Sequence, residues 1–222
     1  MSSKSSLRLD WCTHEAMVAA LRRWYYRDVV PMGKLVRVGV WEDGQFAGVV
    51  VFGCGSSDAL GKRFGLTPLE VCELSRIALR PDHKCSVSRV INLAVSKFLR
   101  VRCPGIRLVI TFSDPEAGHH GGVYQGAGWI YIGKSAEDRR YLINGSWHHS
   151  RGVRASGFVT RPGGARVSCP KPSDAERVEK IPGKHRYALP LDDEMKTLVM
   201  KEAQKAPRPD QSPSSESVTS TS

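Results

Sequence analysis

Three side chains in this sequence stand where chemistry can be done. Tyr124 opens "YQGAGW", with three residues between it and the pair Gly128-Trp129. A tyrosine hydroxyl, with a pKa of about 10, stays protonated at neutral pH and can donate a proton. In the simpler reading Tyr124 packs, Gly128 ends a helix and Trp129 begins a strand. Asp114 follows the apolar run "LVITFS" and precedes Pro115. That places a carboxylate at the C-terminal end of a buried strand, where open α/β sheets bind ligands. It can take up a proton there, or merely cap the turn before the proline. Arg76 lies inside "VCELSRIAL". Its guanidinium can fork onto a phosphate or carboxylate, or snorkel out and pair with Glu70 or Glu73.

Two further groups bind rather than react. His119 and His120 sit between Gly118 and Gly121, five residues or so beyond Asp114. Their donor types suit a metal, but a metal site also needs convergent geometry and second contacts. Adjacent histidines point in different directions, so a hinged loop is the simpler reading. In "HKCSVS", Ser86 caps a helix whose free amides, with Lys84, Ser88 and Arg89 beside them, attract an anion.

The elements that must position these groups follow from periodicity. Leu7 to Trp11 reads as a strand, and "THEAMVAALRRWYYRD" as a helix capped by Thr13. Two β-branched runs around Asp43-Gly44 form a hairpin, because that pair suits the positive φ of a tight turn. Val71 to Leu79 is a strand, with Cys72, Leu74 and Arg76 expected on one face and Glu73, Ser75 and Ile77 on the other. "SVSRVINLAVSKFLRV" is an amphipathic helix, "IRLVITFSD" a strand buried on both faces, and Val123 to Ala127 a short helix. The strands "WIYIGKS" and "RRYLIN" complete the unit. A strand–helix–strand crossover implies parallel pairing, so a mixed α/β sheet of six or seven strands flanked by helices is expected.

Composition adds a partner. The 222 residues carry a net charge of +11, which favours a polyanion. Residues 145–190 hold nine Lys/Arg against three acids, including Arg151, Arg154, Arg161, Arg166, Lys184 and Arg186. This Gly/Pro-rich stretch reads as an arm that grips DNA phosphates. The six cysteines are scattered, without a C-x-x-C pair, as befits reduced thiols. With no apolar run of membrane-spanning length and no signal-peptide core, a cytoplasmic protein that avoids membranes is expected. Three parts follow: residues 1–145 as the catalytic unit, 146–202 as a basic extension on or beside it, and 203–222 as a disordered tail.

The motif "YQGAGW" resembles the Y-x-x-x-G-F of the GNAT acyltransferase superfamily, with Trp129 for the phenylalanine. The resemblance implies a GNAT-like fold and a tyrosine that protonates the leaving group. The superfamily's pyrophosphate loop, Q/R-x-x-G-x-G/A, is altered, since Ser86 and Ser88 stand where both glycines belong. The blocks "CELSRIAL", "SRVINLAVSKF", "ITFSDPEAGHHGGVYQGAGWIYIG" and "KHRYALPLD" are similar, more closely, to the Mom family of phage DNA-modification proteins. That resemblance spans most of residues 7–200. It implies conversion of adenine in double-stranded DNA to the carbamoylmethyl derivative of its exocyclic amine, which evades host restriction. It also implies that Arg76, Asp114 and Tyr124 are catalytic.

Duplex adenine must be flipped out to be reached, and Trp147, Tyr131 and Trp129 are candidates to stack on it. The donor implied is acetyl-coenzyme A by fold, or an aminoacyl-tRNA. Glycyl-tRNA suits the carbamoylmethyl group, since glycine carries its two carbons and nitrogen. A GNAT-type N-acetyltransferase acting on a protein or small amine is the alternative; a DNA-binding relative without catalysis is a third.

Overall fold

The computed structural model describes residues 6–26, 30–31, 33–55, 59–160 and 166–208. The chain begins with strand β1 (Leu7–Trp11) and helix α1 (His14–Trp24), which Thr13 caps by accepting from the Ala16 amide. β2 (Leu35–Glu42) and β3 (Gln45–Gly53) form the hairpin, turning through Asp43 (φ 51°) and Gly44 (φ 81°). β4 (Val71–Leu79) leads to α2 (Val87–Leu93), a π-helical turn (Ala94–Leu99) and the short α3 (Arg100–Arg102). β5 (Leu108–Ser113), α4 (Gly122–Gly126) and β6 (Ile130–Lys134) follow. Six further strands are β7 (Asp138–Ile143), β8 (Ser146–His149), β9 (Phe158–Thr160), β10 (Arg166–Ser168), β11 (Arg177–Ile181) and β12 (His185–Pro190). α5 (Asp193–Lys201) closes the fold.

The main sheet has seven strands in the order β1-β2-β3-β4-β5-β12-β6. Among them β4 and β5 pair in parallel, and the other neighbours are antiparallel. β3 shows why both faces are covered. Val50 and Phe52 join the core under α2, while Val49 and Val51 join the one under α1. Full burial of such a side chain contributes about 1.5–3 kcal/mol. Toward the other edge, α5 packs Met195 and Val199 on Leu108, Ile110, Ile132 and Ala188.

The seventh strand differs from the one expected. "RRYLIN" becomes β7 of a separate three-stranded sheet, order β11-β7-β8, and its place is taken by β12. β12 enters between β5 and β6, pairing Tyr187 with Thr111 on one side and Tyr131 on the other. Residues 185–201, assigned by sequence to an extension beyond residue 145, therefore belong to the main sheet and its cover. "HRYALP" buries Tyr187 and Ala188 fully in the main sheet, whereas Tyr141 and Leu142 of "RRYLIN" are only partly buried on the small one. Of the tail expected from residue 203, residues 203–208 are described and make contacts with the fold. The Gln204 amide donates to Tyr131 O (2.9 Å) and Pro207 O accepts from Gln125 Nε2 (3.0 Å). Residues 209–222 lie outside the described residues.

Two irregularities in β4 create the opening that matters. Val51 pairs with Arg76 but Phe52 with Leu74, so Ser75 is an extra residue, a β-bulge. Its hydroxyl donates to Val51 O (3.1 Å). The bulge reverses the alternation of faces. Cys72 and Leu74 pack under α2, and beyond the bulge Ile77 and Leu79 do so, while Ala78 joins the α1 cluster. Arg76 thus shares the α1 side with Ala78, against the expectation that it faces with Cys72 and Leu74. The second irregularity is a splay. β4 and β5 pair only over Val71–Glu73 and Leu108–Ile110, after which the ladder ends. Thr111 Oγ1 bridges the parting strands by donating to Leu74 O (2.9 Å).

Candidate active site

The splay opens into a cleft of about 680 Å³ whose lining includes Arg76, Asp114 and Tyr124. Each comes from a different element, so the sheet and not local sequence brings them together. Arg76 stands just past the bulge of β4. Its Nη1 donates to Ser75 O (2.6 Å), its guanidinium lies over the Tyr25 ring (5.3 Å), and its Nε is buried with no acceptor among the described residues.

Asp114 ends β5 and is 6% exposed. Its Oδ1 accepts from the Glu116 amide (3.1 Å), capping the 3-10 turn Pro115–Ala117. Its Oδ2 lies 3.5 Å from Lys184 Nζ. The capping reading of Asp114 therefore holds, and the same carboxylate lines the cleft.

Tyr124 lies in the middle of α4, its ring 5.5 Å from Trp129 and 5.6 Å from Tyr187. Burial raises its pKa, and a hydrogen bond with Thr111 acts the other way. A hydroxyl so placed stays protonated well above neutral pH, as a proton donor must.

The start of α4 is fixed by Gly121, at φ +84°. A Cβ there would lie 2.2 Å from Cε2 of Tyr187, whose hydroxyl donates to His120 O (2.6 Å). Gly121→Ala is expected to cost at least about 1–3 kcal/mol in backbone strain, before any collision. A fall in melting temperature of several degrees, read by calorimetry, checks this. An unchanged melting temperature would mean both that the backbone at residue 121 leaves its positive φ without cost and that Tyr187 yields.

The sequence missed part of this site. Trp24, Tyr25 and Tyr26, at the end of α1, line the cleft opposite the loop of His119 and His120. The only signal was a run of three aromatics at a helix end. Trp129 (5% exposed) and Tyr131 (9%), candidates for base stacking, are instead buried core residues. Trp147 is exposed, but it sits on the small sheet under Arg140 (4.8 Å) and not on the cleft.

Among the described residues no group of three His, Cys, Asp or Glu gathers to hold a metal. His119 meets the Tyr26 ring edge-on at 5.2 Å instead.

The loop before α2 is also altered in an unforeseen way. Ser86 caps α2 by accepting from the Arg89 amide, as expected. The amides of Lys84 (3.0 Å) and Cys85 (2.8 Å), however, already donate to Glu42, a fully buried carboxylate at the end of β2. Arg80 Nη2 lies 3.4 Å from the same group. Ser88 Oγ donates to Val123 O (2.8 Å), tying α2 to α4. Lys84 and Arg89 are exposed.

The basic candidates divide. Arg151 and Arg154 are exposed beside the three-stranded sheet, and Arg166 of β10 lies over Phe158 (4.9 Å). Arg161 lies outside the described residues. Lys184 lies against Asp114, its Nζ 3.5 Å from the carboxylate. Arg186 is half-buried in β12, donating to Ile132 O (3.3 Å), and burial lowers its pKa.

The seven-stranded mixed sheet, with its one splayed parallel pair, is the GNAT-like α/β architecture that the resemblance implied. A model of the Mom protein family matches residues 6–208, and the chain belongs to that family. The protein of Escherichia phage Mu described as methylcarbamoylase mom is 32% identical over 117 residues. That match takes in 51% of this chain and 48% of the phage Mu protein, so the chain spans about half the length of this relative. Among solved structures, a Bacillus subtilis acetyltransferase in complex with CoA is similar at TM-score 0.46 and 15% identity, over 85% of this chain and 100% of that one. A Vibrio cholerae spermidine N-acetyltransferase is similar at TM-score 0.46 and 11% identity, over 83% and 93%. Among the described residues, no helix is long and apolar enough to cross a membrane.

Proposed function

We propose that this chain is a DNA-modifying transferase that converts adenine to the carbamoylmethyl derivative of its exocyclic amine. The observation that carries the reading is the meeting, in one cleft, of the three residues that the family resemblance singles out. In this reading the amine nitrogen bonds to the donated carbon, and Asp114 accepts the proton that the nitrogen loses. Tyr124 gives a proton to the leaving group. Arg76, held against Tyr25, offsets the negative charge that develops between them. Lys184 holds the Asp114 carboxylate in place.

Coenzyme A fits the α2 loop poorly as a pyrophosphate ligand. Two of the amides that would hold the phosphates are taken by Glu42, whose negative charge opposes a second anion. The transferred group is better supplied by a carrier gripped elsewhere, and glycyl-tRNA has the matching atoms. Acyl transfer from it breaks the ester C–O bond and gives the aminoacetyl amide of the adenine amine. That amide is an isomer, which a later exchange of the two nitrogens between carbonyl and CH2 would have to convert to the carbamoylmethyl product. The N-acetyltransferase alternative is separable by titration. Acetyl-coenzyme A is expected to bind with a dissociation constant weaker than roughly 0.1 mM, measured by calorimetry. Micromolar binding with acetyl transfer to an amine would restore that alternative.

The direct test is expression in a bacterium, digestion of its DNA to nucleosides and mass spectrometry for a modified deoxyadenosine. Unmodified DNA from folded protein would overturn the reading. The arm has its own test. Replacing Arg151 and Arg154 with Ala should weaken DNA binding equally across sequences and lower the salt slope by about one unit per lost phosphate contact. An unchanged slope would move the phosphate surface elsewhere.

A further inference from the structure

The two faces of the small β11-β7-β8 sheet differ in how their charges are met. Directly opposed residues of an antiparallel pair share a face, and successive residues of a strand alternate between faces. On one face the polar groups find partners within the sheet. Arg140 Nη2 lies 2.6 Å and Arg177 Nη2 2.7 Å from Glu179, and His149 Nε2 lies 3.2 Å from Asp138. On the other face Arg139 of β7 stands directly opposite Lys180 of β11. Both are exposed, and among the described residues neither forms an ion pair. Like charges directly opposite each other destabilise a strand pair. A lysine on an edge strand deters pairing with another chain, which accounts for Lys180 on β11. It does not account for Arg139, which lies on the central strand. The next row of the same face is Tyr141, opposite Val178 on one side and His148 on the other. Val178 is exposed and the two rings are half-buried, so a phenol and an imidazole stand beside the cations.

We propose that this face, with Arg139 and Lys180 in one row and Tyr141 and His148 in the next, docks the sugar-phosphate backbone of duplex DNA. The proposal rests on the DNA-modification reading above. It names a surface apart from Arg151 and Arg154, which follow β8. Opposed residues have Cβ atoms about 5 Å apart, so one phosphate can meet both cations and cancel their repulsion. Each cation so used also releases a counterion from the DNA. The phenol and imidazole can donate to neighbouring phosphate oxygens. Such contacts position a duplex and read no sequence.

The test titrates the full chain with a short mixed-sequence DNA duplex over a range of potassium chloride, and with bulk transfer RNA as the second probe. Arg139→Ala and Lys180→Ala should each lower the salt slope for the duplex by about one unit. Arg177→Ala removes the same charge from the opposite face and should leave the slope as it is. Stability should move the other way from affinity. Lys180→Ala should melt at or above the wild-type temperature, because it relieves a repulsion. Lys180→Glu should melt higher still, since the glutamate introduced faces Arg139, and should bind the duplex more weakly than Lys180→Ala. An unchanged slope in both alanine variants, or an equal fall in Arg177→Ala, would overturn the face. So would a Lys180→Ala protein that melts well below wild type, or a loss confined to transfer RNA. The nucleoside assay is read separately. Modified DNA with an unchanged slope sinks only the face. Face-dependent duplex binding without modification supports the face and sinks the enzymatic reading.

Discussion

Tyr124→Phe is expected to lower DNA modification by about a hundredfold or more while the protein melts within a few degrees of wild type. The substitution keeps the ring, and with it the contacts to Trp129 and Tyr187. It removes one oxygen, whose hydrogen bond with Thr111 contributes about 1 kcal/mol net. In a chain of this size that corresponds to about 2–4 °C. Thr111 keeps its own bond to Leu74 O, so no buried group is orphaned. The loss in rate, by contrast, follows from positioned proton transfer. A packing role forecasts the reverse: Tyr124→Phe silent and Tyr124→Ala unstable. Melting temperature and nucleoside yield, measured on both variants, separate the two. Wild-type yield from Tyr124→Phe would make the hydroxyl incidental.

Asp114→Asn is the second large effect expected, again about a hundredfold or more in rate. The side-chain oxygen that accepts from the Glu116 amide can be kept by the asparagine, so the 3-10 turn should persist. Only the charge and the capacity to take a proton are lost. Lys184, whose side chain is 40% exposed, stays solvated when its partner is neutralised. The fold should therefore survive a change that stops the chemistry. Single-turnover rates and thermal melts are the measurements. A variant that modifies DNA normally would leave Asp114 with its capping role alone.

The two substitutions probe residues that were legible for different reasons. Asp114 was visible as a carboxylate at the end of an apolar strand, a relation between neighbours in sequence. Tyr124 was visible only as part of a motif, since nothing local distinguishes a packed tyrosine from a reactive one. Tyr25 and Tyr26 were not singled out, because their place in the cleft depends on α1 packing against β4. Glu42 gave no sign either. A glutamate at the end of a hairpin strand reads as exposed, and only the loop before α2 folding onto it makes it a buried partner for two amides.

By itself the sequence determined what short-range physics controls. It set helix α1 with its Thr13 cap, the hairpin through Asp43 and Gly44, the cap of α2 at Ser86 and the doubly buried β5. Periodicity, side-chain caps and turn residues act over a few positions, so they can be read in order along the chain. The tertiary structure alone decided which strand completes the sheet, where β4 bulges and where β4 and β5 part. Those outcomes compare distant segments for the same place. β12 takes the place between β5 and β6 and buries Tyr187 and Ala188 there, while β7 leaves Tyr141 and Leu142 partly buried on the small sheet. The bulge at Ser75 then turns Arg76 toward α1, a reversal that a period of two residues conceals.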